Sequence, residues 1–285
     1  MRIALLDGDT FVYQAAIGSE FVGQWDDSTW SVYADFDKAA KRLDDLTTQI
    51  REHTGATRLA VALSDYAHPN WRLRVMPTYK MNRDGSRRPL VWAPLREYIE
   101  ETYETYMRPT LEGDDVLGIL ATNPKLFPEE ATRIVCSIDK DLLQIPGYHF
   151  PLKKMMDGKM DELDIFEVTE KGADRFHMEQ SLTGDMTDGF PGCPKVGKVT
   201  AARLLNAGQV LAPSEREVTR GPRKGQVITK WLPEKPGTDW EVVVSAYEAA
   251  GLTEEEALAT ARVARICRWT DYDYKAKEVK IWQPS

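Results

Sequence analysis

Sulfur and imidazole are scarce in this 285-residue sequence, which has three cysteines and four histidines. Cys136, Cys193 and Cys267 have no paired spacing, which excludes a disulfide framework and a thiolate zinc site. The scattered histidines offer no imidazole metal centre either. No apolar run approaches the roughly 20 residues that a membrane helix needs. The opening MRIALLDGDT passes straight into acids, so no signal peptide is expected, and the chain reads as a cytoplasmic protein with no membrane partner. Low-complexity tracts and internal repeats are missing as well. A hydrophobic fraction of 42%, 29% charged residues and eight tryptophans describe a globular chain, not a disordered, coiled-coil or collagen-like one. The length suits one large α/β domain, or a core domain with a smaller helical one.

Positive charge is lacking on average too. A net charge of -8 runs against the basic footprint that phosphate binding normally leaves. That average conceals a division. Seven basic residues (Arg72, Arg74, Lys80, Arg83, Arg87, Arg88 and Arg96) fall between Trp71 and Arg96 with only Asp84 against them, while the acids lie elsewhere in tight groups.

Those acidic groups occupy similar places. Residues 2–6 are apolar and end at Asp7-Gly8-Asp9, after which Thr10 is placed to cap a helix through residue 17. Helical spacing over 35–53 (Phe36, Ala39, Leu43, Leu46, Ile50) precedes a second apolar run, 59–63, that stops at Ser64-Asp65. The segment 76–88 is basic and aperiodic, and helical spacing returns over 90–103. In LEGDDVLGIL, Glu112, Asp114 and Asp115 head a helix whose apolar face is Val116, Leu117 and Leu120. A third apolar run, 133–138, is closed by Asp139-Lys140-Asp141. Alternating strands and helices predict a mostly parallel sheet flanked by helices, in which ligands bind beyond the carboxyl ends of the strands. The acids are therefore expected to converge. Beyond residue 163, helices are expected over 165–180, 199–207, 240–250 and 253–267, with a Gly/Pro segment at 184–197 and a basic loop or hairpin over 215–236. The expected organisation is an α/β core over 1–162 and a helical subdomain over 163–285.

Nine acids carry the chemistry: Asp7, Asp65, Glu112, Asp114, Asp115, Asp139, Asp141, Asp185 and Asp188. A carboxylate cage without His or Cys suits hard divalent ions, Mg²⁺ or Mn²⁺. An acid after a strand also caps the helix that follows. However, Asp139-x-Asp141 and Glu112-x-Asp114-Asp115 bring like charges so close that a bound cation is the natural relief. The segment LTGDMTDGFPGCPKVGKVTAARLL places Asp185 and Asp188 before a Gly/Pro turn and a helix that begins near Lys198. Such a turn either cradles a phosphate with its backbone N–H groups, as in a helix-hairpin-helix, or links two packed helices.

With LLDGD, LSDYAHPNWR followed by PTYKMNR, LEGDDVLG, SIDKDLLQIPG and TGDMTDGFPG in this order, the chain resembles the flap endonuclease or 5′-nuclease superfamily, and within it the 5′-to-3′ exonucleases of short-tailed bacteriophages. The resemblance spans nearly the whole chain. It implies a PIN-like nuclease core with a helical arch over about 84–107, and a helix-hairpin-helix variant over about 184–206. The nine acids would form two metal clusters for two Mg²⁺ ions, with Mn²⁺ able to substitute and K⁺ at the hairpin. Asp7, Asp65, Asp139 and Asp185 would be catalytic through those ions, with Lys80 and Arg83 facing the scissile phosphate. Contacts to DNA would come from Arg72, Tyr79, Lys80, Arg83, Arg87, Arg88, Gly192, Lys195, Gly197, Lys198, Thr200, Arg223 and Lys224. The implied partner is duplex DNA with 5′ ends or flaps, extending to RNA–DNA hybrids as in primer removal, and to replication proteins. The family hairpin reads GxGxKT, whereas this chain has Lys195-Val196-Gly197-Lys198-Val199-Thr200, so K⁺ binding stays open here.

Two other classes share part of this pattern. Asp7-Gly8-Asp9-Thr10 resembles the opening of a haloacid-dehalogenase-type phosphatase, but Phe11 stands where that pattern wants Thr or Val. A non-catalytic DNA-junction binder would keep the hairpin and the basic stretch without needing all nine acids.

Overall fold

The apolar run that opens the chain becomes the middle of a sheet. In the computed structural model, which describes every residue except Asp84, Met160, Asp161, Arg223 and Ser285, β1 (Arg2–Asp7) pairs in parallel with β4 (Arg58–Ala62) on one side and β6 (Thr132–Cys136) on the other. Ile3, Ala4, Leu5 and Leu6 are fully buried, as a strand covered on both faces requires. The sheet order is β5-β4-β1-β6-β7-β8. Strands β5 (Thr105–Tyr106) and β7 (Gly147–Phe150) are parallel additions, and β8 (Phe166–Val168) is an antiparallel edge.

Two compact units make up the chain. The first comprises Met1–Trp71, Gly85–Ala173 and Ile266–Lys280, and the second Arg72–Asp84, Asp174–Arg265 and Ile281–Ser285. This differs from the expected single boundary after residue 162, because the basic stretch 72–84 packs with the second unit and residues 266–280 pack with the first.

In the first unit, α1 (Gly8–Ile17), α2 (Phe36–Thr54) and α3 (Trp92–Thr102) bury Phe11, Val12, Leu43, Ile50, Leu95 and Ile99 against Leu6, Val61 and Ile134 of the sheet. The start of α2 is fixed by Asp35, whose side chain accepts from Lys38 N at 3.1 Å. Its end is fixed by Gly55 in the left-handed conformation. Helix α4 (Gly113–Thr122) packs on β1, β4 and β6, and α5 (Leu152–Met156) follows β7. A hairpin of β2 (Glu20–Gln24) and β3 (Trp30–Ala34), absent from the sequence expectation, carries a stacked Phe21–Tyr33 pair with ring centroids 5.0 Å apart. A short β13 (Tyr272–Asp273) and β14 (Glu278–Val279) pair belongs to the same unit. The expected arch over 84–107 is corrected. Val91, Leu95 and Ile99 place the start and body of α3 in the core and β5 joins the sheet, which leaves residues 85–90 of the expected arch without helix or strand.

The second unit takes in the later part of α6 (Glu170–Thr183), the two-residue strands β9 (Gly184–Asp185) and β10 (Phe190–Pro191), and α7 (Lys198–Ala207). A long antiparallel hairpin of β11 (Gln209–Glu217) and β12 (Val227–Pro236) follows, then α8 (Asp239–Ala249) and α9 (Glu254–Ala264). Thr238 with Glu241, and Thr253 with Glu256, form capping boxes that set the starts of α8 and α9. Leu182, Ala201, Leu205, Val242, Val243 and Tyr247 form its core. Helix α6 begins later than the expected residue 165 because β8 comes first and Thr169 then caps it through Gly172 N at 3.0 Å. Among the described residues, no helix is long and apolar enough to cross a membrane.

Candidate active site

The parallel strands of the first unit end on acids, and those that follow β1 and β6 are linked to one another. Asp7, last residue of β1, accepts from Thr10 N at 3.2 Å and from Ser137 Oγ at 2.7 Å. Ser137 Oγ in turn accepts from Asp139 N at 3.0 Å, and Asp139 Oδ1 accepts from Asp141 N at 2.8 Å. This relay ties the end of β1 to the turn after β6. Asp7 is only 3% exposed. Burial pushes its pKa above the usual range, against the hydrogen bonds from Thr10 and Ser137, and the charge of Asp9 adds to the rise.

Asp9, in the first turn of α1, accepts from Ser64 N at 2.8 Å and from Arg96 Nη1 at 2.8 Å. Burial nevertheless raises its pKa, and Glu112 contributes to the rise. Asp9 and the start of α4 are thus within electrostatic reach of each other. The approach depends on Gly113, where a Cβ would stand 2.7 Å from Asp9 Oδ2. Asp114 lies in the first turn of α4, and Asp141 pairs with Lys140 at 2.8 Å.

Two more of the expected ligands are held by protein donors far along the chain or on several sides. Asp115 is fully buried, accepting from Trp71 Nε1 at 3.0 Å and from Cys267 N at 3.0 Å. It serves to lock α4 in place. Asp65, just past β4, accepts from Thr110 N at 2.8 Å, Ala67 N at 2.9 Å and the His68 ring at 2.7 Å. Burial would raise its pKa, but these hydrogen bonds outweigh it and lower the pKa below the usual range. Thr110 takes φ +66°, a strained conformation for a β-branched residue.

In the second unit, Lys80 and Arg83 gather on Asp188. Lys80 Nζ lies 3.5 Å from Asp188 Oδ2, Arg83 pairs with Oδ1, and Tyr79 Oη donates to Oδ2 at 3.1 Å. Lys80 N donates to Asp188 O at 2.9 Å with Lys80 at φ +58°. Asp185 accepts from Thr187 N at 2.7 Å. The two acids of the β9–β10 turn and the two basic residues of the YK-x-NR segment therefore form one local cluster.

Several expected DNA contacts are corrected by burial or pairing. Arg72 is 3% exposed and donates to Val263 O at 2.8 Å and Arg265 O at 2.7 Å, so it ties down the end of α9 and cannot reach DNA. The Tyr79 ring is buried beside Phe190, with no free face for a base. Gly192 is required by packing, since a Cβ there would fall 2.3 Å from Gly184 N. Arg87 makes a two-pronged pair with Glu20, both contacts at 2.7 Å. Lys195 (φ +65°), Gly197, Lys198 and Lys224 are exposed, Thr200 is half-buried, and Arg223 lies outside the described residues. Gly197 caps α7 without any side-chain hydrogen bond, which leaves backbone donors at an open helix start.

Arg96 and Ser137 are the residues that sequence reasoning missed. Arg96 stood in the basic run, but nothing local marked it as the partner of Asp9. Ser137, two places before Asp139, carried no signal of its bond to Asp7.

The donor set fits a hard divalent cation in kind: carboxylates massed at strand ends, two of them with raised pKa. Among the described residues, no three His, Cys, Asp or Glu side chains are already arranged to hold a metal. Among the described residues, neither a Ser–His pair nor a reactive thiol accompanies these acids; Cys136, for one, is buried and its thiol is pushed far up by desolvation.

A mostly parallel α/β sheet with acids at the ends of its strands places the chain in the α/β class, with a carboxylate-rich candidate site. The comparisons with known proteins are more specific. Residues 2–172 match the family of the 5′-3′ exonuclease N-terminal, resolvase-like domain, and the chain belongs to that family. It is 34% identical to the exodeoxyribonuclease of Enterobacteria phage T3 and 33% identical to the exonuclease of Escherichia phage T7, in each case over 99% of this chain and 93% of the relative. Its fold is that of the T5 5′-exonuclease with divalent zinc bound, with a TM-score of 0.57 at 13% identity over 93% of this chain and 89% of the other. A T5 flap endonuclease pseudo-enzyme-product complex with DNA and metal ions superposes with a TM-score of 0.55, also at 13% identity and over the same shares.

Proposed function

We propose that this chain is a divalent-metal-dependent 5′-to-3′ exonuclease and 5′ flap nuclease that hydrolyses DNA phosphodiester bonds during phage replication, with RNA paired to DNA as a further substrate. The observation that carries this reading is the relay Asp7–Ser137–Asp139–Asp141, with Asp9 and Glu112 beside it, on a chain whose relatives over nearly its whole length are phage exonucleases.

Asp7, Glu112, Asp114, Asp139 and Asp141 are assigned as ligands of Mg²⁺, for which Mn²⁺ can substitute, and Asp185 and Asp188 serve the same chemistry. Asp65 and Asp115 fix the strand end and the helix start. Two such cations, when bound by these carboxylates, would supply an activated water and charge neutralisation at the leaving 3′ oxygen. Lys80 and Arg83 hand over from Asp188 to the phosphate, where a preorganised cation contributes on the order of 3 kcal/mol to the transition state. Asp188 keeps both groups in place until substrate arrives. The open start of α7, with Lys195, Gly197, Lys198 and Thr200, takes a backbone phosphate of the duplex in helix-hairpin-helix fashion, and K⁺ at this turn belongs to the same reading. Lys224 and Arg223 add a contact from the β11–β12 hairpin.

The test is digestion of 5′-labelled and 3′-labelled duplexes, blunt and flapped, with Mg²⁺ and with EDTA. Mononucleotides released first from the 5′ end, flap cutting, and silence in EDTA are expected. Binding without cutting under every metal condition would favour the junction binder.

A further inference from the structure

Beside the carboxylates of the first unit stands a stack of side chains of which Arg88 alone is an expected DNA contact. Tyr66 follows Asp65 directly, and its ring meets Trp92 edge to face at 5.3 Å. The guanidinium of Arg88 lies 4.1 Å from the Trp92 centroid and 4.5 Å from that of Tyr66. Arg96 lies 4.9 Å from the Tyr66 ring, donates to Asp9 at 2.8 Å and to Ser64 O at 2.6 Å, and is buried. The Tyr66 hydroxyl reaches Asp9 at 3.5 Å.

The two arginines of this stack differ in their partners. Arg96 is neutralised by Asp9 and Glu100. Arg88 is exposed and has no carboxylate partner among the described residues, although its neighbour Arg87 is fully engaged by Glu20. A guanidinium lying on an aromatic face keeps its edge donors pointing outward in a fixed plane. That is the arrangement that grips a phosphate through two parallel N–H···O bonds. Tyr66 is half exposed, at 52%, so the stack opens to solvent rather than closing on the core.

Resting on the nuclease reading, we infer that Arg88, set in orientation by Tyr66 and Trp92, is a clamp for one backbone phosphate of the nucleic-acid strand held beside the Asp7–Asp9 carboxylates. Tyr66 and Trp92 are positioning residues, and Arg96 anchors the stack to Asp9. Because the grip relies on a planar fork held on rings, a lysine at position 88 does not replace it.

The experiment measures binding of a fluorescein-labelled 5′-tailed duplex in EDTA across a KCl series, for the wild type, Arg88→Ala, Arg88→Lys, Tyr66→Leu and the double variant Arg88→Ala/Tyr66→Leu. Circular dichroism checks that each variant is folded. Arg88→Ala is expected to weaken binding about five- to tenfold and to flatten the salt slope by about 0.9, the value for one phosphate. Arg88→Lys is expected to restore the slope but not the affinity. Tyr66→Leu should weaken binding, and the double variant should be no weaker than Arg88→Ala alone, since both act through one contact. An unchanged slope in Arg88→Ala, full rescue by lysine, or additive losses in the double variant would each overturn the clamp. A wild type that neither binds nor cuts the duplex would sink the nuclease reading instead, so the two failures are distinguishable.

Discussion

Burial, with Asp9 close by, holds the Asp7 carboxyl above its ordinary value of 3.8, so ionising it costs the folded protein stability that the unfolded chain does not lose. Below pH 3.8 both states are protonated and the cost is zero. It grows as pH rises from 3.8 through the folded pKa and is constant above that. Asp7→Asn is therefore expected to melt a few degrees higher than the wild type at pH 7 in metal-free buffer, with the gain fading as pH falls towards 3.8. Asn keeps an acceptor for Thr10 N and can donate to Ser137 Oγ, so the comparison isolates charge. A lower melting point at pH 7 would mean that the Asp7–Ser137 bond outweighs desolvation. Lys80 is the matching case in the second unit, held at φ +58° against Asp188. Such strain persists only where the surroundings over-determine it. Lys80→Ala is expected to lower kcat by about 10²- to 10³-fold while duplex affinity stays within about threefold; single-turnover rates against equilibrium binding would check the split. At this scale the sequence revealed the strand-end acids because each ends a local apolar run. It concealed Arg96, Ser137 and the buried states of Arg72 and Tyr79, which depend on partners far along the chain.

Elements were legible where their ends are encoded locally. Asp35, Thr238 with Glu241, and Thr253 with Glu256 satisfy the first N–H groups of α2, α8 and α9, and the expected starts fall within one or two residues of the observed ones. The β2–β3 hairpin was not legible, because Val22, Trp25, Trp30 and Tyr33 are all exposed and no burial alternation marks its strands. The supposed arch failed for the opposite reason: its basic flank drew attention away from Leu95 and Ile99, which carry α3 into the core. Within the Gly/Pro segment, two glycines separate packing from ligand access. A Cβ at Gly192 would lie 2.3–2.4 Å from backbone atoms of Gly184, Thr183 and Leu182, none of which can rotate away, whereas nothing lies within 4 Å of one at Gly197. Gly192→Ala is expected to lose about 3 kcal/mol or more in urea unfolding. Gly197→Ala is expected to lose under about 1 kcal/mol, as a weaker helix cap, and to weaken duplex binding more than stability. Equal losses of stability at the two positions would remove the assignment of 197 to phosphate contact.

For the whole molecule, the domain plan was the least legible property, because the second unit is assembled from three separated stretches and chain continuity suggests a single cut. Net charge carried more information than its sign implied. An excess of -8 over 285 residues matters little if spread evenly, but here acids are massed at the strand ends of one unit, where two of them already resist ionisation. A divalent cation that binds this folded arrangement and not the unfolded chain must stabilise it by mass action, by about 2.7 kcal/mol at one hundred times its dissociation constant. For a chain of this size that corresponds to a rise in Tm of roughly 4–5 °C. Thermal unfolding in EDTA, in Mg²⁺ and in NaCl of matched ionic strength is the measurement. Mg²⁺ is expected to raise Tm and NaCl to leave most of that rise unmatched, since screening alone acts weakly on buried groups. Asp139→Asn should remove the greater part of the Mg²⁺ increment while leaving the NaCl response unaltered. If NaCl reproduces the full rise, the acids of the first unit are a screened charge cluster and not a cation site, and the proposed hydrolysis loses its means of activating water.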